Sequence, residues 1–321
     1  RGGVHFLMEV DMPSALNKAI ERYSNEIRTL LREEKLRYAM IRPEQAGVRI
    51  VFRNPDDVDK ATALLGKNFQ TLVTEEAETS GKPGLLARPS EQETREIQQF
   101  ALQQNILTLR NRVNELGVAE PVIVQQGANR IVVQLPGVQD TAEAKRILGA
   151  TATLEYRAVD TEHDVQAAVA GTVPAGSRIY NDRDGNPVLL KKAVIVTGDQ
   201  IVNASSGLDQ QTGGPQVSVM LDAKGARSML NFTKKSVGKP MAVVFIENKS
   251  ETRIVDGEPV KTSKKIEEVI SVATIRDVFS KRFQTTGLDS TQEAHELALL
   301  LRSGALAAPI NIVEERTIGP S

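Results

Sequence analysis

Between Ile106 and Asp160 the apolar residues change period three times, and few folds accommodate that order. Ile106, Leu109, Val113 and Leu116 recur at helical spacing. Gly117 is placed to stop the helix, because glycine enters the left-handed conformation without a Cβ clash. Two short apolar runs follow, Val122–Val124 and Ile131–Leu135. Gln126-Gly-Ala-Asn129 reads as the hairpin turn between them, and Pro136-Gly137 ends the second run. Asp140 and Glu143 form a capping pair for a short helix carrying Ala144, Ile147 and Leu148. Ala152–Val159 then returns as a strand. Helix, hairpin, helix and strand, with one strand ahead of them, make the split βαβ or ferredoxin-like plan.

The same order occurs earlier in the chain. Val4–Val10 reads as a buried strand, and Asp11-Met-Pro13 opens a helix with the stripe Leu16, Ile20, Tyr23, Ile27 and Leu30. Arg37–Ile41 and Val48–Phe52 form a hairpin around Pro43–Gly47. A helix with Ala61, Leu64 and Leu65 inward follows, then a strand at Thr71–Thr74. Arg49-Ile-Val and Pro55 match Arg130-Ile-Val and Pro136 at an offset of 81 residues, and Ala61-x-x-Leu-Leu-Gly66 matches Ala144-x-x-Ile-Leu-Gly149 at 83. Two copies of one αββαβ unit, at 12–75 and 94–158, are expected. Residues 75–89 are polar around Ser80-Gly-Lys-Pro-Gly84 and read as a loop. Ser90 with Glu93 forms a capping box for the long helix.

Beyond Asp160 short strands and glycine-marked turns dominate. A strong strand at Met241–Ile246 precedes a charged run at 258–267. The tail has a strand at Phe283–Gly287, a capped helix from Ser290 to Gly304 and a last strand at Ile310–Val313. The expected fold class is α+β: a ferredoxin-like base of residues 1–160 plus 274–321, with an inserted, strand-rich head at 161–273.

Several blocks resemble one family. Arg110-Asn-Arg-Val-Asn-Glu-Leu-Gly-Val-Ala-Glu-Pro121 with Asn129-Arg-Ile-Val-Val-Gln-Leu-Pro-Gly-Val138 is similar to the first periplasmic domain of the SecD family. Arg1-Gly-Gly-Val-His-Phe6, Leu301-Arg-Ser-Gly-Ala-Leu306 and Glu314-Glu-Arg-Thr-Ile-Gly-Pro-Ser321 agree, in family order. SecD is the membrane-embedded accessory subunit of bacterial Sec export and a relative of the resistance-nodulation-division pumps. The resemblance implies a place on the periplasmic side of the inner membrane, between two membrane spans of a longer protein. It implies unfolded preprotein, SecF, the SecYEG channel and YajC as partners. It also implies head movement relative to the base, coupled to the proton-motive force by the membrane part. The unit at 12–75 departs from the shorter SecD pattern, in which the first strand runs almost directly into the long helix.

Composition narrows the chemistry. Among 321 residues, 40 are basic and 41 acidic, so no long-range pull on nucleic acid is expected. There is no cysteine, which excludes a disulfide framework and a thiolate metal site. No apolar run approaches the roughly 20 residues that span a bilayer. His5, His163 and His295 lie far apart without metal-ligand spacing. No glycine-lysine phosphate loop and no G-x-S-x-G elbow occur. Asp182-Arg-Asp-Gly-Asn186 invites a calcium reading, but the twelfth position that needs a bidentate acid is Ala193, and a hairpin turn fits better. Neither an enzyme, a cofactor nor a metal is expected.

What remains is binding. Unfolded chains offer apolar side chains and unpaired backbone groups to a cleft or strand edge. The apolar head residues Val194, Val196, Val217, Val219, Met229, Phe232, Val244 and Phe245 are the candidate preprotein contacts. Val159, Asp160, Thr161 and Glu162, with Val272, Ala273, Thr274, Ile275 and Arg276, are the candidate hinge between head and base. The alternative function is a small-molecule porter domain of a resistance-nodulation-type efflux pump; a hydrolase with an unrecognised site ranks behind both.

Overall fold

The computed structural model describes residues 2–45, 47–255 and 258–318, with side chains throughout except at 248–264 and 318. Arg1, Ala46 and the Gly319–Ser321 end of the last family block lie outside the described residues, as do most side chains of the charged run at 258–267. The chain opens with strand β1 (Gly3–Val10), on which Val4, Phe6, Met8 and Val10 alternate into the core. Helix α1 (Met12–Glu33) starts at Asp11, whose carboxylate accepts the Ser14 N–H at 3.0 Å, with Pro13 in the first turn. Then come β2 (Met40–Glu44), β3 (Gly47–Val51), α2 (Pro55–Asn68), β4 (Leu72–Glu76) and β5 (Gly84–Pro89). Helix α3 (Glu91–Glu115), β6 (Val122–Gln126), β7 (Arg130–Pro136) and α4 (Thr141–Gly149) complete the first half.

The second half begins with β8 (Thr153–Val159), α5 (Val165–Val169), β9 (Ser177–Asp182) and β10 (Pro187–Thr197). After them run β11 (Ile201–Leu208), β12 (Pro215–Leu221), α6 (Ala223–Thr233) and the long hairpin β13 (Pro240–Val255) and β14 (Glu258–Thr274). Strand β15 (Arg282–Thr285), helix α7 (Thr291–Ser303) and β16 (Ile310–Ile318) close it.

Among the described residues, this mixed helix-and-sheet chain forms four sheet assemblies. The order β16-β1-β7-β6 makes one antiparallel sheet, and Gly3 pairs with Ile318 at its end. Leu102, Leu109 and Val113 of α3 and Leu148 of α4 pack on Phe6, Ile131, Val133 and Leu135. A second sheet, β2-β3-β5-β4, takes Ile20 and Ile27 of α1 and Ala61 and Leu65 of α2 into its core. Strands β10-β8-β13-β14-β9 close into a small barrel. Beside it lies the three-stranded sheet β11-β12-β15, whose core includes Met229 of α6 and Leu297 and Leu301 of α7.

Three sequence expectations are corrected. First, β8 does not return to the base sheet; it pairs with β10 and β13 in the barrel, and β16 takes the place beside β1. Apolar alternation shows that 153–159 is a strand but carries no information about its partner, which is chosen by contacts distant in sequence. Second, residues 84–89 are strand β5, inserted between β3 and β4, and not a loop. Leu85 and Ala87 alternate into the core, and a Cβ at Gly84 would lie 2.5 Å from the Ile50 carbonyl oxygen. The glycine that looked like loop punctuation is there for close strand approach. The first unit is therefore αββαββ, and it closes differently from the second. Third, the tail divides: β15 pairs with β12 and α7 covers β11 and β12, so only β16 joins the base sheet.

Smaller differences concern edges and caps. Strand β2 runs three residues later than expected and carries Pro43, tolerated because β2 is an edge. Ser90 caps α3 by accepting the Glu93 N–H at 3.1 Å, while the Glu93 carboxylate accepts a hydrogen bond from Tyr23 of α1. The reciprocal half of that capping box is diverted into a tie between the two long helices.

Candidate functional site

The open face of the three-stranded sheet is a grid of polar side chains around one methionine. Register places Asn203, Met220 and Arg282 in one row and Ser205, Ser218 and Gln284 in the next. On the opposite face Ala204, Val217, Val219 and Leu221 are buried. Period-two alternation produces this split. These residues, with Phe279 and Phe283, line a cleft of about 640 Å³ at the sheet edge, where register sets Phe283 beside Val219 on the covered face.

Across the wall of these two rings lies a second cleft of about 590 Å³, between β15 and the barrel. Tyr156, Met241, Val243, Ile275 and Arg276 line it on one side, and Gln210, Gln211 and Thr212 of the β11–β12 loop on the other. Phe279, Phe283 and Gln284 line both clefts. Both volumes lie in the range of ligand sites.

The wall is held from several directions. Tyr156 and Phe283 meet edge to face with ring centroids 5.0 Å apart, and Phe279 lies 5.3 Å from Phe283. The buried Tyr156 hydroxyl is 2.8 Å from Thr285 Oγ1, tying barrel to sheet. Thr233 Oγ1 donates to the Phe279 carbonyl at 2.9 Å. The loop at the rim is shaped by Asp209, whose carboxylate accepts the N–H groups of Gln211 (2.7 Å) and Thr212 (2.9 Å). Those two bonds, with the positive charge of Arg276 facing it, hold the Asp209 carboxyl below its ordinary value.

An aromatic wall, two flexible thioethers and a row of amides and hydroxyls can take up apolar side chains and pair with a peptide backbone. Nothing in the set demands one particular sequence.

Of the expected contact residues, Val196, Val217, Val219, Met229 and Val244 are buried at 2 % exposure or less and belong to the cores. The four valines face inward because apolar alternation marks the covered side of each strand, and Met229 lies on the buried side of α6. Val194, Phe232 and Phe245 are half-buried, and the last two pack against the head core. The cleft-lining Phe279 and Phe283 lie in and beside a four-residue strand, too short to show a period. Their one signal was being two of only eight phenylalanines.

The expected hinge residues lie in and beside the barrel strands β8 and β14. Asp160 is a buried node: Ser177 donates to it, His163 Nδ1 and Lys191 Nζ each lie 3.0 Å from it, and the Glu162 N–H donates at 3.1 Å. Burial alone would push its carboxyl up, but these partners together hold it well below the ordinary range. Asp160, Glu162 and His163 could offer three ligand atoms to a cation. Lys191 already supplies the positive charge there. Val159 ends β8, and Val272, Ala273 and Thr274, all exposed, are the last residues of the barrel strand β14. Ile275 is buried; its N–H donates to the Lys239 carbonyl at 3.0 Å and its carbonyl accepts the Gly238 N–H at 2.8 Å. Thr161, Glu162 and Arg276 are exposed beside these fixed positions.

The chain passes between base sheet and head elsewhere, at 150–152 after α4 and at 304–308 after α7. Polar residues of α3 line the second link. Asn105 Nδ2 donates to the Ala308 carbonyl at 2.9 Å and its Oδ1 accepts the Ala307 N–H at 2.8 Å. Thr108 donates to Ala305 O at 3.3 Å, and Asn111 to Ser303 O at 3.4 Å. At the rim Arg302 joins Glu115 of α3 to the Ala204 carbonyl of β11, and Arg146 of α4 pairs with Glu296 of α7. Arg112, fully buried, bonds the carbonyls of Ile147 (2.9 Å), Leu148 (2.7 Å) and Gly304 (3.4 Å).

Residues 177–308 match the family model described as the SecDF P1 head subdomain, and residues 102–161 match the N-terminal P1 domain of protein translocase subunit SecDF. The protein translocase subunit SecD of Escherichia coli (strain K12) is 50 % identical over 323 residues, covering all of this chain and 52 % of that protein. SecD of Pseudomonas aeruginosa is 44 % identical over 330 residues, with the same coverage of both chains. The chain thus spans about half the length of these relatives. A solved structure described as SecDF in a super-membrane-facing form is 27 % identical and covers 77 % of this chain and 30 % of its own, at a TM-score of 0.49. The chain belongs to the SecD family of protein translocase subunits and carries the family's P1 head and the N-terminal part of its P1 domain.

Proposed function

We propose that this domain engages an unfolded polypeptide in the paired clefts around Phe279 and Phe283 during Sec-dependent export. In this role it binds without catalysis, on the periplasmic side of the inner membrane, and supports proton-motive-force-driven release of the exported chain. SecF, the SecYEG channel and YajC are the partners this role calls for. The observation that carries the proposal is the composition of the clefts: aromatic and thioether surface beside uncharged hydrogen-bonding side chains, with charge confined to Arg282 and to the Arg276–Asp209 rim. The base is proposed to be a variant of the ferredoxin-like plan in which β16 fills the place expected for β8. Its boundaries with the head fall at the links near 151 and 306 in place of 160 and 274.

Fluorescence anisotropy with unstructured peptides tests the proposal. Met220→Glu, on the exposed side of the sheet, should weaken binding about tenfold, a loss of ~1.4 kcal/mol. Affinity should hold at moderate salt, because screening removes contacts between exposed charges and not apolar ones. Binding of drug-like amphiphiles with no binding of peptides would favour the porter alternative.

A further inference from the structure

Arg112 is a buried charge with no acidic partner among the described residues. Its side chain is inaccessible, it sits in the last turn of α3, and its hydrogen bonds all run to backbone carbonyls. Burial pushes its guanidinium down to about 10, which leaves it protonated at neutral pH. Such a charge is costly unless it meets compensating dipoles. Here the compensation comes from helix ends. Ile147 and Leu148 are in the last turn of α4, and Gly304 is the C-cap of α7 at φ +89°. Carbonyls at those positions lack partners within their own helices and carry the negative end of the dipole.

The geometry of the fork matters more than the charge. Nη1 holds the α4 carbonyls and Nη2 holds Gly304. Helix α4 leads directly into one link to the head, and Gly304 begins the other. One rigid plane therefore joins the two chain segments that connect base to head. If one link shifted alone, it would strand either a buried carbonyl or half of a buried cation.

We propose that Arg112 is a positioning residue, a pin that couples the two links so that the head holds or changes its orientation to the base as one body. This does not depend on what the clefts bind.

The chain has no cysteine, so two introduced cysteines can be spin-labelled cleanly. Labels at Gln126 in the base and Asp184 in the head, both exposed, report head-to-base distance by pulsed dipolar spectroscopy in the 321-residue chain. Labels at Asp184 and Leu208 report on the head alone. With Arg112 intact, both pairs should give one narrow distance peak. Arg112→Met should broaden or split the Gln126–Asp184 distribution and leave Asp184–Leu208 narrow. Arg112→Lys keeps the charge but not the fork, so it should broaden the first pair to an intermediate degree. If the Met variant does not fold, the Lys variant decides. A Gln126–Asp184 peak as narrow as wild type in the folded variants would overturn the proposal. So would equal broadening of both pairs, or a distribution already broad with Arg112 in place.

Discussion

Single side chains carry several of the ties on which the clefts depend. The buried Tyr156 hydroxyl and Thr285 are mutual partners, 2.8 Å apart. Tyr156→Phe leaves the Thr285 hydroxyl buried and unpaired, so a loss of ~1–3 kcal/mol is expected in urea titrations. Adding Thr285→Val should recover part of it, and a strictly additive double mutant would count against a direct bond. Asp160 has a pH signature. Its carboxyl is held below the ordinary value of about 3.9 in the fold. The stabilisation is therefore present above that value and is lost as pH falls from about 4 through the lower folded value. Asp160→Asn should be less stable than wild type at pH 7, with the gap closing as the solution is acidified below pH 4. A gap that stays constant down to pH 2 would contradict the assignment. Neither tie was legible in the sequence, because Ser177, Lys191 and Thr285 are brought in by pairings distant along the chain. Arg112 and Gly304 stood inside blocks that marked the family; Gly304 could be read as a helix stop, but no periodicity or spacing gave Arg112 a reason, which its hydrogen bond to Gly304 supplies.

Elements were more legible than their partners. The stripes of α1, α2 and α4 and the caps Asp11, Ser90, Asp140 and Ser290 could all be read from spacing, since local sequence decides them. Leu65 and Leu148, matched between the two units, are both fully buried. Replacing either by alanine should cost about 2–5 kcal/mol, measured by chemical denaturation. Little or no loss at either would mean that its site collapses without a cavity. Strand pairing was not legible. Strand β8 has the alternation of a base strand but joins the barrel, and β5 was hidden by Gly84 and a six-residue length. The clefts were missed for the same reason. Their walls come from β15, the loop at 209–214 and the barrel rim, none long enough to show a period. The apolar runs that were visible marked the cores instead.

At the scale of the whole molecule, base and head are joined by two links that meet at α3. Excising 152–303 and joining the ends should leave the sheet β16-β1-β7-β6 and its helices folded, as judged by a cooperative thermal transition. Cutting at 159 and 274, as the sequence suggested, splits the barrel by retaining β8 without β13, and should expose its apolar edge and aggregate. Contact between the clefts and a polypeptide in transit is the central claim to test. The direct measurement is site-specific photo-crosslinking in the full-length protein, in membranes, to an arrested and partly exported chain. A photoreactive residue at Met220 or Gln284, on the cleft side of the sheet, should crosslink to that chain. One at Val124, on an exposed edge of the base sheet, should not. Crosslinks at Val124 with none at Met220 or Gln284 would contradict the account.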